Sequence, residues 1–309
     1  MGVDIGGTKV ASGLVNARGE ILGFERLAMV SNSSPQKALD AVLGAISQVA
    51  RDAWHQVKGI GICAPGPLDP TTGVILNPPN IPCWRNFPLA EAVQKQYAVP
   101  VKVDNDANAA ALAEARWGAA RGYNFVFYAT IGTGIGTGIV FAQKIYHGRT
   151  GSAAEGGHVS IDYRGPLCRC GKPGCIEILA SGTAIASRAR ERLPQERDSS
   201  MLALAGGIPE GISGEIVAKA YAAGDPLAAE ILNESAEMLA LWLSNMVDLI
   251  DPDVIVIGGG AAALYRPFFD FLKHRVPQLS VNPRAAEVPI LLARYGADSG
   301  IAGGAALCT

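Results

Sequence analysis

The sequence of 309 residues has few features of nucleic-acid-binding, membrane or secreted proteins. Its 26 basic and 28 acidic side chains nearly cancel, and no run of like charge indicates a surface for nucleic acid or anionic lipid. No segment approaches the roughly eighteen uninterrupted apolar residues of a membrane span. The opening residues, Met1-Gly2-Val3-Asp4, also lack the basic and apolar regions of a signal peptide. We therefore expect a cytoplasmic protein with small-molecule ligands and no nucleic-acid or membrane partner.

Strand and helix patterns alternate along the chain, which predicts an α/β fold. A chain of this length fits one large domain or two coupled lobes. Helices are predicted from Pro35, from Ala107 to about Trp117, through about Ile212 to Ile250, and near the C-terminus. The predicted strands are Val10–Val15, Glu20–Leu22, Lys58–Cys63, Val99–Val103, Phe125–Ile131, Gly136–Phe141, Gln143–Tyr146 and Val254–Ile257.

Glycine is abundant, and much of it lies in short clusters after predicted strands. The segment from Asp4 to Lys9 reads Asp-Ile-Gly-Gly-Thr-Lys. It places a carboxylate before backbone amides that no Cβ atom obstructs, and such amides can hold phosphate oxygens. The Asp4 carboxylate suits Mg²⁺, held through water. A plain hairpin turn is the alternative interpretation, and the Walker A pattern is absent.

Two later glycine clusters extend this interpretation to a nucleotide site. Thr133 and Gly134 offer a second hydroxyl and amide for phosphate. The cluster Gly258, Gly259 and Gly260 follows an apolar strand and would give an adenine or ribose close access to the backbone. The strand, glycine turn and strand of the Asp4 segment recur at 130–136, which indicates a duplicated fold unless two common hairpins match by chance.

The polar run Asp104-Asn105-Asp106-Ala107-Asn108 lies between a predicted strand and an alanine-rich helix. One such residue suffices to cap the helix. Phosphoryl transfer to an alcohol needs a carboxylate to accept the hydroxyl proton and neighbours that hold the sugar, which this run would also supply. The run alone leaves the chemistry open.

A compact cysteine cluster predicts a structural zinc site. Three of the six cysteines lie within eight residues, a spacing typical of metal ligation. His158, Cys168, Cys170 and Cys175 form a complete tetrahedral set with no position left for water, so we expect a structural rather than a catalytic metal. Buried free thiols are the alternative. Glu155 and Glu177 flank the cluster and suit hydrogen bonding to vicinal sugar hydroxyls, although solvated loop charges would look the same.

Together these motifs resemble the ROK family of bacterial sugar kinases and repressors over essentially the whole chain, and they are similar to those of its bacterial glucokinases. The resemblance rests on Asp4–Lys9, Ala64–Pro67, Asn77–Asn80, Asn105–Ala110, Glu155–His158 and Cys168–Glu177. It implies an actin-like, ribonuclease-H-like fold of two lobes that close over sugar and nucleotide. The implied smaller lobe is 1–106 plus about 296–309, and the larger is 107–295.

The resemblance also implies an activity and roles for residues. The activity is ATP-dependent phosphorylation of a hexose 6-hydroxyl with Asp106 as general base, using Mg²⁺ and structural Zn²⁺ in a homodimer. The sugar-binding residues would be Gly66, Asn80, Asn105, Asp106, Glu155, His158 and Glu177. His158 would serve zinc through one ring nitrogen and sugar through the other. The nucleotide-binding residues would be Asp4, Gly6, Gly7, Thr8, Lys9, Thr133, Gly134, Gly258, Gly259 and Gly260.

Glucose is the favoured acceptor, and three departures from the family pattern qualify the resemblance. The first strand is short, Thr137 replaces a common glycine, and Gly156 replaces a frequent isoleucine. A glycine beside Glu155 predicts more room near the second carbon of the sugar, which makes N-acetylmannosamine or N-acetylglucosamine the alternative. Fructose and a non-catalytic sugar sensor rank lower. The sensors of the family carry a helix-turn-helix before the phosphate loop, and with three residues ahead of Asp4 we expect none here.

Overall fold

Strands and α-helices alternate through residues 1–195 and 199–309, which the computed structural model describes. This alternation confirms the α/β prediction. The strands are β1 (Gly2–Ile5), β2 (Lys9–Val15), β3 (Ile21–Ala28), β4 (Ile60–Ala64), β5 (Leu68–Asp69), β6 (Val74–Ile75), β7 (Val101–Asn105), β8 (Phe125–Ile131), β9 (Ile135–Phe141), β10 (Lys144–Ile145), β11 (Val254–Gly258) and β12 (Ile290–Leu292). The α-helices are α1 (Pro35–Ala50), α2 (Leu89–Tyr97), α3 (Asp106–Arg116), α4 (Ile176–Ala180), α5 (Gly182–Arg192), α6 (Met201–Leu204), α7 (Gly214–Ala222), α8 (Pro226–Ile250), α9 (Ala262–Tyr265), α10 (Phe269–Leu279) and α11 (Ser299–Leu307).

Two five-stranded sheets share one strand order. The first sheet runs β3-β2-β1-β4-β7 and the second runs β10-β9-β8-β11-β12. In the first, β1 pairs antiparallel with β2 and parallel with β4, and β4 pairs parallel with β7. In the second, β9 and β10 are antiparallel, whereas β11 and β12 are parallel. The shared order supports the duplication that the glycine turns indicate.

The chain divides into two compact units, each built from separate stretches of the sequence. Unit 1 comprises residues 1–128, 138–154 and 293–309, and unit 2 comprises 129–137 and 155–292. The boundary expected at residue 106 differs from this division. Helix α3, which begins at residue 106, packs with the C-terminal helix α11 in unit 1, and a Cβ on Gly303 would come within 2.7 Å of the Ala109 carbonyl carbon.

Local chemistry explains where the main helices begin. The predicted start at Pro35 is confirmed, with Pro35 in the first turn of α1 and the Ser34 side chain accepting from Lys37 N as the helix cap. Asp225 caps the long helix α8 in the same way, with Pro226 next to it. Strand β3 extends well beyond the predicted Glu20–Leu22, because the apolar residues of its sequence do not alternate regularly with polar ones. Among the described helices none is both long and apolar enough to span a membrane.

Candidate active site and metal centre

The predicted site residues of unit 1 lie near the carboxyl ends of three neighbouring parallel strands. Asp4 lies in β1, Gly66 follows β4, and Asn105 ends β7. The carboxyl ends of parallel strands meet at one sheet edge, where ligands commonly bind. A Cβ built on Gly66 would lie 3.8 Å from Asn105 Nδ2. The sheet therefore brings Gly66 and Asn105 together, as the site prediction requires.

The first glycine turn packs against the loop that carries Asn80. A Cβ built on Gly7 would lie only 2.8 Å from the Asn80 carbonyl oxygen, so this close approach requires glycine. Gly6 N donates to Lys9 O at 2.8 Å and closes the turn. Thr8 and Lys9 are exposed beside it.

Asn105 rather than Asp106 caps helix α3. The Asn105 side chain accepts from Ala107 N at 2.9 Å and from Asn108 N at 3.4 Å. Asp106 is exposed in the first turn of the helix, where the helix dipole favours a negative charge. Its Oδ1 accepts from Ala107 N at 2.8 Å. Asn105 thus supplies the helix cap, and the adjacent Asp106 keeps an exposed carboxylate.

Asp4 experiences the charge of Asp106 within unit 1. Burial raises the pKa of the Asp4 carboxyl to about 6, the Asp106 carboxylate adds to this rise, and Arg26 opposes it. Gly300 of α11 packs directly against the Asp4 carboxyl group and leaves no room for a side chain of its own. Asp4 is therefore a partly buried carboxylate beside the first glycine turn, consistent with a water-mediated Mg²⁺ ligand.

The structure adds a contact between the buried Asp104 and the half-buried His147 that sequence reasoning missed. Asp104 is 4 % exposed, and its Oδ2 lies 2.6 Å from His147 Nε2. The hydrogen bond to Asp104 raises the pKa of His147, partly offset by burial. Asn108 Nδ2 also donates to Asp104 Oδ1 at 3.2 Å. No local sequence pattern connects Asp104 with His147, because the two residues meet only in the folded unit.

In unit 2 the four predicted metal ligands form one cluster. The ligand atoms of His158, Cys168, Cys170 and Cys175 all lie within 4.8 Å of one another. His158 Nδ1 lies 3.7 Å from Cys168 Sγ, and Cys170 Sγ lies 3.5 Å from Cys175 Sγ. Three thiols and an imidazole at these separations fit a tetrahedral zinc ion.

Glycine makes the cysteine loop possible. Gly171 and Gly174 have positive φ angles of 91° and 59°, and Gly174 packs against the Asp162 carbonyl with no room for a Cβ. Burial raises the pKa of Cys175 to about 12, so metal ligation would have to displace its proton.

Glu177 contacts both the second glycine turn and the metal cluster. Its Oε2 accepts from Ile135 N at 3.0 Å and packs against Gly134. Its Oε1 lies 4.0 Å from His158 Nδ1. One carboxylate oxygen of Glu177 is therefore already engaged by the backbone, so the other oxygen is the better placed for the predicted hydrogen bond to a sugar hydroxyl. Glu155, by contrast, is exposed.

A cavity of about 1000 Å³ in unit 2 includes part of the predicted nucleotide site. Thr133 and Gly260 line it, together with residues of α5, α7 and α9. Gly259 has a φ of 91°, and a Cβ there would lie 2.6 Å from Ile131 N, so it shapes the strand end rather than lining the cavity. Sequence reasoning missed two lining residues, Ser213 at the N-cap of α7 and Lys219 within it, because α7 is amphipathic like any surface helix.

Comparisons with known proteins agree over the whole chain. The model of the ROK family matches residues 1–309. A glucokinase of Streptomyces coelicolor is 38% identical over 262 residues, covering 84% of this chain and 81% of the relative. An N-acetylmannosamine kinase of Yersinia pseudotuberculosis is 30% identical over 305 residues, covering 99% of this chain and 96% of the relative.

A solved structure supports the same assignment. The ROK family glucokinase from Streptomyces griseus, in complex with glucose and AMPPNP, matches with a TM-score of 0.84 and 35% identity, covering 99% of this chain and 97% of that one. With the family model and these relatives spanning most or all of its length, the chain belongs to the ROK family.

Proposed function

We propose that this protein transfers the γ-phosphoryl group of ATP to the 6-hydroxyl of glucose. Family membership and the kinase relatives make the chain an ATP-dependent sugar kinase. The observation that carries the chemistry is the exposed Asp106 carboxylate at the start of α3, with Asn105 as a separate helix cap. A base so placed is accessible to a substrate without loss of the helix cap.

In the proposed reaction Asp106 accepts the proton of the sugar hydroxyl. The hydroxyl oxygen forms its new bond to the γ-phosphorus in line as the bond from that phosphorus to the β–γ bridging oxygen breaks, and ADP leaves. The amides of Gly7 and Gly134 and the hydroxyls of Thr8 and Thr133 are proposed to hold phosphate oxygens, whereas the Gly6 amide closes the turn through Lys9 O. Mg²⁺ bound to the nucleotide would neutralise phosphate charge, and Asp4 is the residue proposed to hold it through water.

The contact between Thr137 and Gly156 favours glucose over an N-acetylated sugar as the proposed substrate. The sequence predicts free space at Gly156, but a Cβ built there would lie 2.7 Å from Thr137 Oγ1 and 3.1 Å from Thr137 Cγ2. The Thr137 side chain therefore occupies the Cβ direction of Gly156, and this supports the proposal that the glycine adds no room for an acetamido group there. The N-acetylmannosamine kinase relative keeps that sugar as the second candidate.

The test is ATP-dependent ADP release with Mg²⁺ and a panel of glucose, N-acetylmannosamine, N-acetylglucosamine, mannose and fructose. We expect glucose to have the highest kcat/KM. Dominant turnover of an N-acetyl sugar or of fructose would replace glucose as the substrate. Absence of turnover with every sugar would contradict the kinase and favour a sensor. The homodimer remains a separate prediction, to be tested by analytical ultracentrifugation.

A further inference from the structure

Two positions of unit 2 that are far apart in sequence are in direct contact. The backbone N–H of Gly156 donates to Thr137 Oγ1 at 2.8 Å. Thr137 lies in β9 and is 4 % exposed. Because its side chain also occupies the Cβ direction of Gly156, the threonine both bonds this residue and packs against it.

The carbonyl group of Gly156 is held from another element. Trp242 of α8 is fully buried, and its Nε1 donates to Gly156 O at 3.0 Å. Val159 N donates to the same oxygen at 3.0 Å. Both polar groups of the Gly156 backbone are therefore engaged in a buried environment, where leaving one unpaired is costly.

Gly156 begins the short 3₁₀ turn Gly156–His158, which separates two of the proposed sugar ligands. Glu155 precedes the turn, and His158 ends it. His158 N donates to Glu155 O at 3.0 Å. Gly157 packs on the Ile135 carbonyl with no room for a Cβ. The turn therefore lies directly on the start of β9, and Thr137 is the side chain of that strand that fixes it.

We infer that Thr137 is a positioning residue for sugar binding, which acts by fixing the Gly156 backbone between Glu155 and His158. The inference rests on the proposed function, because it takes Glu155 and His158 as sugar ligands. Its inferred role involves no direct contact between Thr137 and the sugar. Its hydroxyl orients the turn, so that loss of the hydroxyl loosens the sugar ligands without removing them.

The test compares Thr137→Val, which keeps the side-chain shape but loses the acceptor, with Thr137→Ser, which keeps the hydroxyl. Glucose and AMPPNP affinities are measured separately by calorimetry, each without the other ligand. The loss of a buried hydrogen bond predicts glucose binding weaker by about tenfold or more in Thr137→Val. We expect Thr137→Ser to stay within about threefold of the wild type, and AMPPNP affinity to change little in either variant.

A readout independent of ligands is hydrogen exchange at the Gly156 amide. We expect faster exchange in Thr137→Val than in the wild type or Thr137→Ser. Thr137→Ala, which also lacks the acceptor and introduces no bulk, replaces Thr137→Val if that variant does not fold. Zinc content is measured in every variant, since His158 is also a proposed metal ligand.

The affinities of the Thr137 variants decide between a positioning role and a general structural role. Unchanged glucose affinity in Thr137→Val and Thr137→Ala overturns the inference. Equal losses of glucose and AMPPNP affinity also overturn it, because they indicate a general structural role. A wild type that binds glucose but phosphorylates no sugar contradicts the proposed function, whereas the affinity comparison still decides the role of Thr137. A wild type that binds no glucose overturns both.

Discussion

At the scale of residues, Asp4 and Asp106 are two carboxylates of unit 1 in different environments. Partial burial and the Asp106 charge raise the pKa of Asp4 to about 6, so the group is mostly ionised at neutral pH and protonated in mild acid. Asp106 is exposed at a helix start. Carboxylates in such different settings suit different tasks, here the proposed metal ligand and the proposed base.

Replacing Asp106 with asparagine tests the base directly. Asp106→Asn keeps the size of the side chain but cannot accept the proton, so we expect kcat for glucose to fall about 10²- to 10⁴-fold with glucose affinity nearly unchanged. Steady-state ADP release and calorimetry measure the two quantities. Asp40→Asn, at an exposed position of α1, is the matched control. Turnover of Asp106→Asn at the wild-type rate would show that another group takes the proton.

The ion pair of His147 and Asp104 predicts a pH-dependent stability. Because the pKa of His147 is raised in the folded state, its protonation stabilises the fold below the usual histidine pKa near 6.5, and this contribution is lost as the pH rises through the folded-state pKa.

The variant His147→Gln should remove that dependence. We expect it to lower the free energy of unfolding by about 1–3 kcal/mol at pH 6, with a smaller loss at pH 9. Urea unfolding at the two pH values measures both. His274→Gln, at an exposed position of α10, is the control. An equal loss at both pH values would show that His147 acts through packing rather than through its charge.

At the scale of elements, the loop around the cysteine cluster has little regular structure and depends on its glycines and its proposed metal. We expect about one zinc ion per chain when no chelator is used, by analogy with closed structural sites. Cys170→Ser should lose zinc and become sensitive to proteolysis between residues 159 and 175. Cys83→Ser, a cysteine of unit 1 outside the cluster, should retain the metal. A wild type without zinc in elemental analysis would contradict the site.

Contacts between residues that are near in sequence could be predicted, whereas contacts between separate elements could not. The proposed zinc ligands are close in sequence, so their spacing is enough to predict them. The polar run with Asn105 and Asp106 is also local, but its role is predicted only with the family resemblance. By contrast, Thr137 meets Gly156 and Asp104 meets His147 through the pairing of separate segments, for which neither helical nor strand periodicity gives a signal. The departures at positions 137 and 156 are each visible in the sequence, but only the fold shows that they fill one space.

At the scale of the whole molecule, the two ends of the chain build the same unit. Helix α11 packs on β1, β4 and α3, so the first strand of unit 1 meets a helix from the last residues. The fully buried Glu114 of α3 also binds the segment before α11, because its side chain accepts from Arg294 N at 2.8 Å and from Tyr295 N at 3.1 Å. Unit 1 therefore cannot complete its packing until residues 293–309 have been synthesised.

Glycines of α11 allow this helix to pack closely on β1 and β4. Substitution of Gly304 tests how much that packing contributes to stability. A Cβ at this position would lie 2.5 Å from Gly61 O and 2.9 Å from Val3 N, and neither backbone group can turn aside as a flexible side chain would. We expect Gly304→Ala to lower the free energy of unfolding by about 1–3 kcal/mol or more, measured by urea unfolding. Gly23→Ala is the control, because a Cβ at Gly23 of β3 has no neighbour within 4 Å. An equally small loss of unfolding free energy in both variants would show that the close packing of α11 on β1 and β4 tolerates a methyl group. The hydrogen bonds of Glu114 to Arg294 and Tyr295 would then contribute more than this packing to holding residues 293–309 in unit 1.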